Sequence, residues 1–208
     1  QMQALPSNDS KEKTLLEEWK LSITPVNDEE ELRQIKRHMG HSADCFSKAF
    51  RVKNSNRDNA FWNYYDKHNY HKEDIHYWYH GSRNMNCLSI LHNGLILNPK
   101  APKVGHMFGY GIYLAPKAKK SIGYTSLNGS FWVHGTSDKA YLFVMKTVYK
   151  SPYHVYTWTS GMKSLTKSRI SPHDAVFAHA GTSLRNDEVV IFDDAQVTLQ
   201  YIIELKQQ

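Results

Sequence analysis

Only two cysteines, Cys45 and Cys87, occur among the 208 residues of the chain, and no Cys-x-x-Cys pair is present. These numbers exclude a disulfide framework and favour a reducing compartment, the nucleus or the cytoplasm. No apolar run is long enough to span a bilayer and no secretory signal pattern is present, so we expect no membrane association. The 12 histidines are scattered without the spacing of a zinc site, so we expect no metal.

The apolar content is sufficient for one globular domain, since 40% of the residues are hydrophobic and 12% are aromatic. We expect a monomer. The formal net charge is +6 and the isoelectric point is about 9.1. This balance favours acidic partners such as nucleotides or nucleic acid, although a mildly basic enzyme without a nucleic-acid partner has the same composition.

Hydrophobic periodicity predicts an α+β protein with a largely antiparallel sheet, because strands dominate after residue 130. Strands are predicted over residues 21–24, 45–52, 75–79, 111–115, 140–149, 188–192 and 197–205. Helices are predicted over residues 11–20, from an Asn27 cap to Met39, over 59–65 and 85–92, and from Pro116 at the first helical position to 126. Residues 98–110 and 151–171 are predicted to be irregular. Residues 1–20 are predicted to be a tail or a domain edge.

The tripeptide His80-Gly81-Ser82 directly follows a β-prone run at 75–79. Because glycine has no Cβ, a ligand can lie against its backbone N–H and C=O groups. A carboxamide needs such a donor and acceptor, and one nearby hydroxyl would complete its hydrogen bonds. Taken alone, the tripeptide also fits an ordinary turn.

Two tyrosines flank the helix predicted after Pro116, with Tyr113 on the strand before it and Tyr124 on its third turn. Lys120 and Tyr124 are four residues apart on one helical face, and Ser121 lies beside them. Two aromatic planes brought together by a strand–helix turn can sandwich a flat ring. Either tyrosine alone could equally be a core residue.

Glu188 begins a strongly apolar strand at 189–192. A carboxylate at the mouth of a buried strand is unusual unless it is paired or functional. Cleavage of an N-glycosidic bond passes through an oxocarbenium-like state, which a carboxylate bonded to the ribose 2′-hydroxyl would stabilise. The alternative is a solvated glutamate at the end of a strand.

Together these segments resemble the catalytic domain of the poly(ADP-ribose) polymerase family, of the diphtheria-toxin-like type with a His-Tyr-Glu triad. The matching motifs are YHGSR and ILHNGL within 79–95, GHMFGYGIYLA at 105–115, KS at 120–121 and NDEVVIFD at 186–193. With a weaker match over 21–52, the resemblance covers about residues 20–205. It implies the ADP-ribosyltransferase fold, two packed and mostly antiparallel β-sheets with flanking helices. The catalytic domain would occupy 21–208, and we expect no autoinhibitory helical subdomain because too few residues precede His80.

The resemblance also implies that the substrate is NAD+ and that the motifs form its binding site. His80 would bond the adenosine-ribose side of NAD+. The Gly81 backbone and the Ser121 hydroxyl would hold the carboxamide, and Tyr113 and Tyr124 would stack on the nicotinamide.

Further contacts follow from the same resemblance. Ser82 and Asn86 would contact the adenosine ribose, and Lys120 would lie near the catalytic carboxylate. The loop 98–110 would be the donor-site loop of the family.

Glu188 would orient the nicotinamide-ribose 2′-hydroxyl and activate an acceptor hydroxyl, forming the catalytic set with His80 and Tyr113. Nicotinamide would be released and ADP-ribose transferred to a macromolecular acceptor, a protein or a nucleic acid, with elongation to poly(ADP-ribose). His106 and Asn186 stand where relatives often have tyrosines. Mono-ADP-ribosylation, NAD hydrolysis and non-catalytic binding of NAD or ADP-ribose therefore stay open as alternatives.

Overall fold

The computed structural model describes residues 13–97 and 106–207. Within them, nine strands and six α-helices confirm the predicted α+β class. The strands are β1 (Leu21–Pro25), β2 (Phe46–Asn54), β3 (Ile75–Gly81), β4 (Ile112–Leu114), β5 (Lys139–Val148), β6 (Pro152–Val155), β7 (Ala175–Ala178), β8 (Glu188–Ile191) and β9 (Val197–Lys206). The helices are α1 (Leu15–Glu18), α2 (Glu29–Met39), α3 (Ser55–Lys67), α4 (Cys87–Asn93), α5 (Ala118–Ile122) and α6 (Lys167–Ile170). The predicted tail over residues 1–12 and the part of the predicted loop at 98–105 lie outside the described residues.

The strands form two sheets. The larger has the order β1-β2-β9-β5-β3 and is antiparallel throughout. The smaller has the order β4-β8-β7-β6, in which β6 and β7 run parallel and the other pairs antiparallel. The fold therefore consists of two mostly antiparallel sheets with flanking helices, as the resemblance implies.

The core lies on both faces of these sheets. Successive side chains of a strand point to opposite faces, so β8 contributes to two layers. Val189 and Ile191 belong to the cluster that also contains Phe143 of β5, which connects the two sheets. Val190 faces the opposite way and packs in the cluster that contains Phe108. Because β8 is buried on both faces, Glu188 at its first position lies at the edge of the core.

Helix α2 begins one residue later than predicted. The side chain of Asp28, and not that of Asn27, caps it by accepting a hydrogen bond of 2.8 Å from the Glu31 N–H. Asp28 is the residue with extended backbone directly before the first helical turn, which is the conformation that an N-cap requires. The helix ends at Met39 as predicted, because Gly40 adopts a φ of 60° that favours glycine.

Helix α5 is shorter than predicted and begins later. Lys117 is extended, with φ −106° and ψ 128°, so Pro116 cannot be the first helical residue. The chain leaves the helix at Gly123, and the Tyr124 N–H donates to the Ser121 carbonyl in a three-residue turn. The prediction that Tyr124 lies on the third turn of this helix is therefore wrong. Tyr124 lies in the turn that follows it.

The segment 151–171 is more regular than predicted. Its first residues form β6, which pairs in parallel with β7, and its last residues form α6. The edge position of β6 explains the difference, since a short strand that begins at Pro152 and is half exposed carries little alternation.

Candidate active site

The cleft is the space between β3 and β4 beyond the point at which their pairing stops. Tyr79 and Ala115 exchange two backbone hydrogen bonds of 2.9 Å, which join the two sheets. In antiparallel pairing the next hydrogen-bonded pair would be Gly81 with Tyr113, two residues further along each strand. No backbone hydrogen bond joins this second pair in the part of the chain that the structure describes. The strands therefore diverge at Gly81.

The His80 imidazole forms a hydrogen bond with the Tyr113 carbonyl, which would have accepted from the Gly81 N–H if the pairing had continued. Its Nδ1 lies 3.0 Å from the Tyr113 carbonyl oxygen. Because a carbonyl only accepts, Nδ1 carries the proton and donates. Burial lowers the pKa of His80, opposed by this hydrogen bond, so the neutral ring is favoured. Nε2 is then an acceptor.

Gly81 presents a backbone donor and acceptor at the mouth of this cleft that no residue within 13–97 or 106–207 engages. Tyr79 directs its N–H and C=O away from β5 and towards Ala115. Residues two apart on a strand share this orientation, so the N–H and C=O of Gly81 point to the same side. The predicted exposed peptide edge at Gly81 is therefore present.

The absence of a Cβ at Gly81 has a structural cause as well. A Cβ at this position would lie 1.7 Å from the backbone oxygen of Ser121. Only glycine allows α5 to approach β3 so closely. The approach brings Ser121, which is 4% exposed, beside the free edge of Gly81. The Ser121 hydroxyl forms no hydrogen bond with another described residue.

The hydroxyl of Tyr113 is engaged by the backbone. It donates to the Gly109 carbonyl at 2.7 Å and accepts from the Phe108 N–H at 3.0 Å. His106 donates from Nδ1 to the same Gly109 carbonyl at 3.0 Å and meets the Tyr113 ring edge-on. Burial raises the pKa of the Tyr113 phenol, and the Glu188 charge raises it further. Tyr113 is therefore neutral and fixes the segment that precedes β4.

Tyr124 stacks on Trp132, with ring centroids 5.8 Å apart and planes 17° from parallel. Its phenol pKa is raised, first by burial and then by the charge of Glu188. No ring contact joins Tyr113 and Tyr124 among the described residues, and the charge of Glu188 raises the pKa of both phenols. The predicted sandwich would need a ring between them.

Glu188 is paired with Lys120. The Lys120 Nζ lies 2.7 Å from Glu188 Oε2, and each side chain is 11% exposed. The solvated strand-end alternative is therefore wrong, because this carboxylate is mostly buried. An ion pair shielded from water has a well-defined geometry, so the carboxylate is held in position.

Ser82 and Asn86 are also adjacent, since the Asn86 side-chain amide donates to the Ser82 hydroxyl at 2.9 Å. The structure thus brings His80, Gly81, Ser121, Lys120 and Glu188 to one cleft, with Ser82 and Asn86 continuing from the turn after β3. Their roles towards a ligand stay predictions.

Trp132 is absent from the residues predicted above. A signal is present in the sequence, because Phe131 and Trp132 adjoin within a stretch rich in turn residues, with Gly129, Ser130 and Gly135. Such a stretch does not need two large aromatic side chains for a core.

Two expectations concern groups outside this cleft. Among the described residues, no three histidine, cysteine, aspartate or glutamate side chains converge as a metal site would require. The expectation of a protein without metal stays a prediction. None of the helices in the described ranges has the length and apolarity to cross a bilayer. Cys45 and Cys87 are free thiols.

The chain is similar to known proteins over most of its length. The sequence model of the poly(ADP-ribose) polymerase catalytic domain matches residues 29–207. The chain is 31% identical to a poly(ADP-ribose) polymerase of Drosophila melanogaster over 147 residues, which cover 62% of the chain and 15% of the fly protein.

Two further relatives extend this similarity. Poly(ADP-ribose) polymerase 2 of Arabidopsis thaliana is 26% identical over 219 aligned positions, covering 88% of the chain and 33% of the plant protein. Poly(ADP-ribose) polymerase 2 of Homo sapiens is 47% identical over 57 residues, covering 26% of the chain and 10% of the human protein. The chain therefore spans only a small part of the length of the relatives it matches.

Proposed function

The chain belongs to the poly(ADP-ribose) polymerase catalytic-domain family, and from this premise we propose that it is an NAD+-dependent ADP-ribosyltransferase. It cleaves the bond between ribose and nicotinamide and transfers ADP-ribose to a macromolecular acceptor. One observation carries the proposal. The free peptide edge of Gly81 and the ion pair of Lys120 with Glu188 lie in the cleft where β3 and β4 diverge.

The carboxamide of nicotinamide fits the groups at this edge. Its oxygen would accept from the Gly81 N–H, and its NH₂ group would donate to the Gly81 carbonyl. The Ser121 hydroxyl would bond the carboxamide oxygen as a second donor. These three groups satisfy an amide that would otherwise be buried without partners, which costs binding free energy.

The rest of the donor has matching partners. Tyr113 and Tyr124 would stack on the nicotinamide ring, and Trp132 would support Tyr124 from its other face. A ribose hydroxyl on the adenosine side would donate to Nε2 of neutral His80. Ser82 and Asn86 would contact the same ribose.

Glu188 supplies the charge that cleavage requires. As the glycosidic bond breaks, positive charge develops on the ribose, and a carboxylate bonded to the 2′-hydroxyl stabilises it. Lys120 holds this carboxylate in position through the ion pair. An acceptor hydroxyl would attack the opposite face of the anomeric carbon and give inversion, with Glu188 accepting its proton.

Elongation to poly(ADP-ribose) is the fuller form of the proposal. Mono-ADP-ribosylation is the second candidate, and it is favoured by His106 and Asn186, which stand where relatives often have tyrosines. The two free cysteines support action in the nucleus or the cytoplasm. We further propose a monomer that needs no metal.

Incubation with labelled NAD+ followed by gel separation tests the proposal. The wild-type protein should give a labelled smear if it elongates, or a sharp band if it transfers a single unit. Glu188→Gln should reduce transfer by about 100-fold or more, because a neutral amide cannot balance the developing charge.

Glu204→Gln is the matched control. Glu204 is as buried as Glu188, is paired with Lys139, and lies on β9, which β5 separates from β3. It should keep transfer near the wild-type rate. Unchanged transfer in Glu188→Gln would contradict the assigned role, and release of nicotinamide by neither wild type nor control would favour a non-catalytic binding module.

A further inference from the structure

The residues between α5 and β5 form a closed loop, 127–137. The Asn128 N–H donates to the Ser137 carbonyl at 2.8 Å, and the Ser137 N–H donates to the Ser126 carbonyl at 2.9 Å. Within the loop, the Gly135 N–H donates to the hydroxyl of buried Ser130 at 2.9 Å. A compact loop whose ends are tied in this way presents its tip in one conformation.

The tip presents two large aromatic side chains to solvent. Phe131 is 60% exposed and Trp132 is 49% exposed. Their centroids are 4.6 Å apart, with planes at 89°. Apolar side chains fixed side by side on an ordered surface mark a binding surface more often than scattered ones do.

Trp132 connects this tip to the proposed donor site. The backbone N–H of Trp132 donates to the Gly123 carbonyl at 2.9 Å, and the indole ring stacks on Tyr124. A Cβ at Gly123 would lie 2.8 Å from Trp132 Cδ1, so the glycine is what admits the indole. The position of the tip is thereby fixed relative to Tyr124.

Arg185 completes the surface from the other side. Its guanidinium carbon lies 5.9 Å from the centroid of the Phe131 ring, and it precedes Glu188 by three residues. None of the salt bridges among the described residues includes Arg185, whereas Glu188 is paired with Lys120. Tyr124 contacts Trp132, Trp132 contacts Phe131, and Arg185 lies over Phe131, three residues before Glu188 in the chain. The aromatic tip therefore adjoins the proposed reaction centre.

We propose that Phe131, Trp132 and Arg185 bind the acceptor, and that this acceptor is the end of a single-stranded nucleic acid. Exposed aromatic faces stack on unpaired bases, and a guanidinium binds phosphate. The net charge of +6 favours a polyanion. An acidic peptide could pair with Arg185 but would leave both aromatic faces without a matching group. The bases of a duplex are already stacked, so a single strand fits better.

The proposal rests on the proposed function, because the acceptor must meet the anomeric carbon of the donor. A terminal hydroxyl oxygen forms the new bond to that carbon as the bond to nicotinamide breaks. Neutral nicotinamide leaves with the electron pair of the broken bond. The hydroxyl proton passes to the Glu188 carboxylate, so no further reactant is required.

A binding measurement without NAD+ tests the surface separately from catalysis. The probe is a fluorescently labelled single-stranded oligonucleotide of about 12 nucleotides. Its binding is measured by fluorescence anisotropy at two salt concentrations. We expect Phe131→Ala and Arg185→Gln each to raise Kd about tenfold, which corresponds to the loss of one stacked base or one charged contact.

Trp62→Ala is the matched control. Trp62 lies on α3, is 40% exposed, and has Lys146 Nζ 5.0 Å from its ring. It should bind the oligonucleotide as wild type does. If Phe131→Ala binds like wild type, or if a blunt duplex binds more tightly than the single strand, the proposal is wrong.

Incubation of the same oligonucleotide with NAD+ completes the test. The labelled strand should gain one or more ADP-ribose units with wild type and lose most of this modification with Phe131→Ala. Binding without any nicotinamide release would refute the proposed function but leave the binding surface standing. Nicotinamide release with modification of an added acidic peptide, and none of the oligonucleotide, would overturn the nucleic-acid acceptor.

Discussion

Gly81→Ala should damage the cleft by steric displacement, although it removes no hydrogen-bonding group. The added Cβ would lie 1.7 Å from the Ser121 oxygen and 2.6 Å from its carbonyl carbon. A carbon–oxygen contact needs about 3.3 Å, so the two backbones must separate by about 1.6 Å. Because both sides are main chain in packed elements, neither can rotate away. Overpacking of this kind costs about 1–3 kcal/mol of unfolding free energy.

The effect on donor binding should exceed the effect on stability. The same displacement moves the Ser121 hydroxyl away from the peptide edge of Gly81, and a misplacement of about 1 Å can lower activity about 100-fold. We therefore expect kcat/KM for NAD+ to fall by about that factor, mostly through KM. The melting temperature should fall by only several degrees, about 2–4 °C for each kcal/mol in a chain of this size.

Gly161→Ala is the control for this substitution. A Cβ at Gly161 meets no atom within 4 Å, and its φ is not in the left-handed region. It should leave both the melting temperature and nicotinamide release unchanged. The two variants are compared by thermal unfolding and by nicotinamide release over a range of NAD+ concentrations. If Gly81→Ala melts and turns over like wild type, α5 does not approach β3 as described.

Two further predictions concern Tyr113 and His80. Tyr113→Phe leaves the buried Phe108 N–H without its acceptor, whereas the Gly109 carbonyl keeps the hydrogen bond from His106. The free energy of unfolding, measured with urea, should therefore fall by about 1–3 kcal/mol. A kcat loss above about 100-fold with no loss of stability would instead assign the phenol to catalysis. For His80, burial lowers the pKa below its ordinary value, about 6.5. KM for NAD+ should therefore be constant from pH 8 to about 6.5 and rise at lower pH, as the ring is protonated and Nε2 stops accepting. The contribution of His80 to the free energy of unfolding is likewise complete above about pH 6.5 and is lost as the pH falls through the lowered pKa. A rise in KM already near pH 7.5 would contradict the role of neutral His80 in binding NAD+.

The fold was largely predictable because the central strands are long runs rich in β-branched, aromatic and other apolar residues. Residues 140–149 and 197–205 were predicted as strands, and they form β5 and β9 with boundaries within one residue. Prediction failed at α5 and β6, where the structure depends on tertiary contacts. At the end of α5, Trp132 packs against Gly123, a contact that the helical pattern of this segment does not contain.

The candidate site was predictable where a residue type is seldom explained by a purely structural role, as with a carboxylate next to a buried strand. A carboxylate opening an apolar strand indicated Glu188, and its partner Lys120 followed from the resemblance. Gly81 was predicted for its exposed backbone, but its closeness to Ser121 depends on how two distant elements pack. No sequence pattern reports that approach, since it involves main-chain atoms that every residue shares.

One interaction, the hydrogen bond of His80 to Tyr113, accounts for several features of the cleft together. The Tyr113 carbonyl, which would accept from the Gly81 N–H if the Tyr79–Ala115 pairing continued, accepts from the imidazole instead. The same bond fixes the proton on Nδ1 and leaves Nε2 as an acceptor. The donor for a carboxamide and the acceptor for a ribose hydroxyl thus have a common origin. The histidine is accordingly part of the architecture of the cleft, and its substitution should change the binding of both ends of the donor at once.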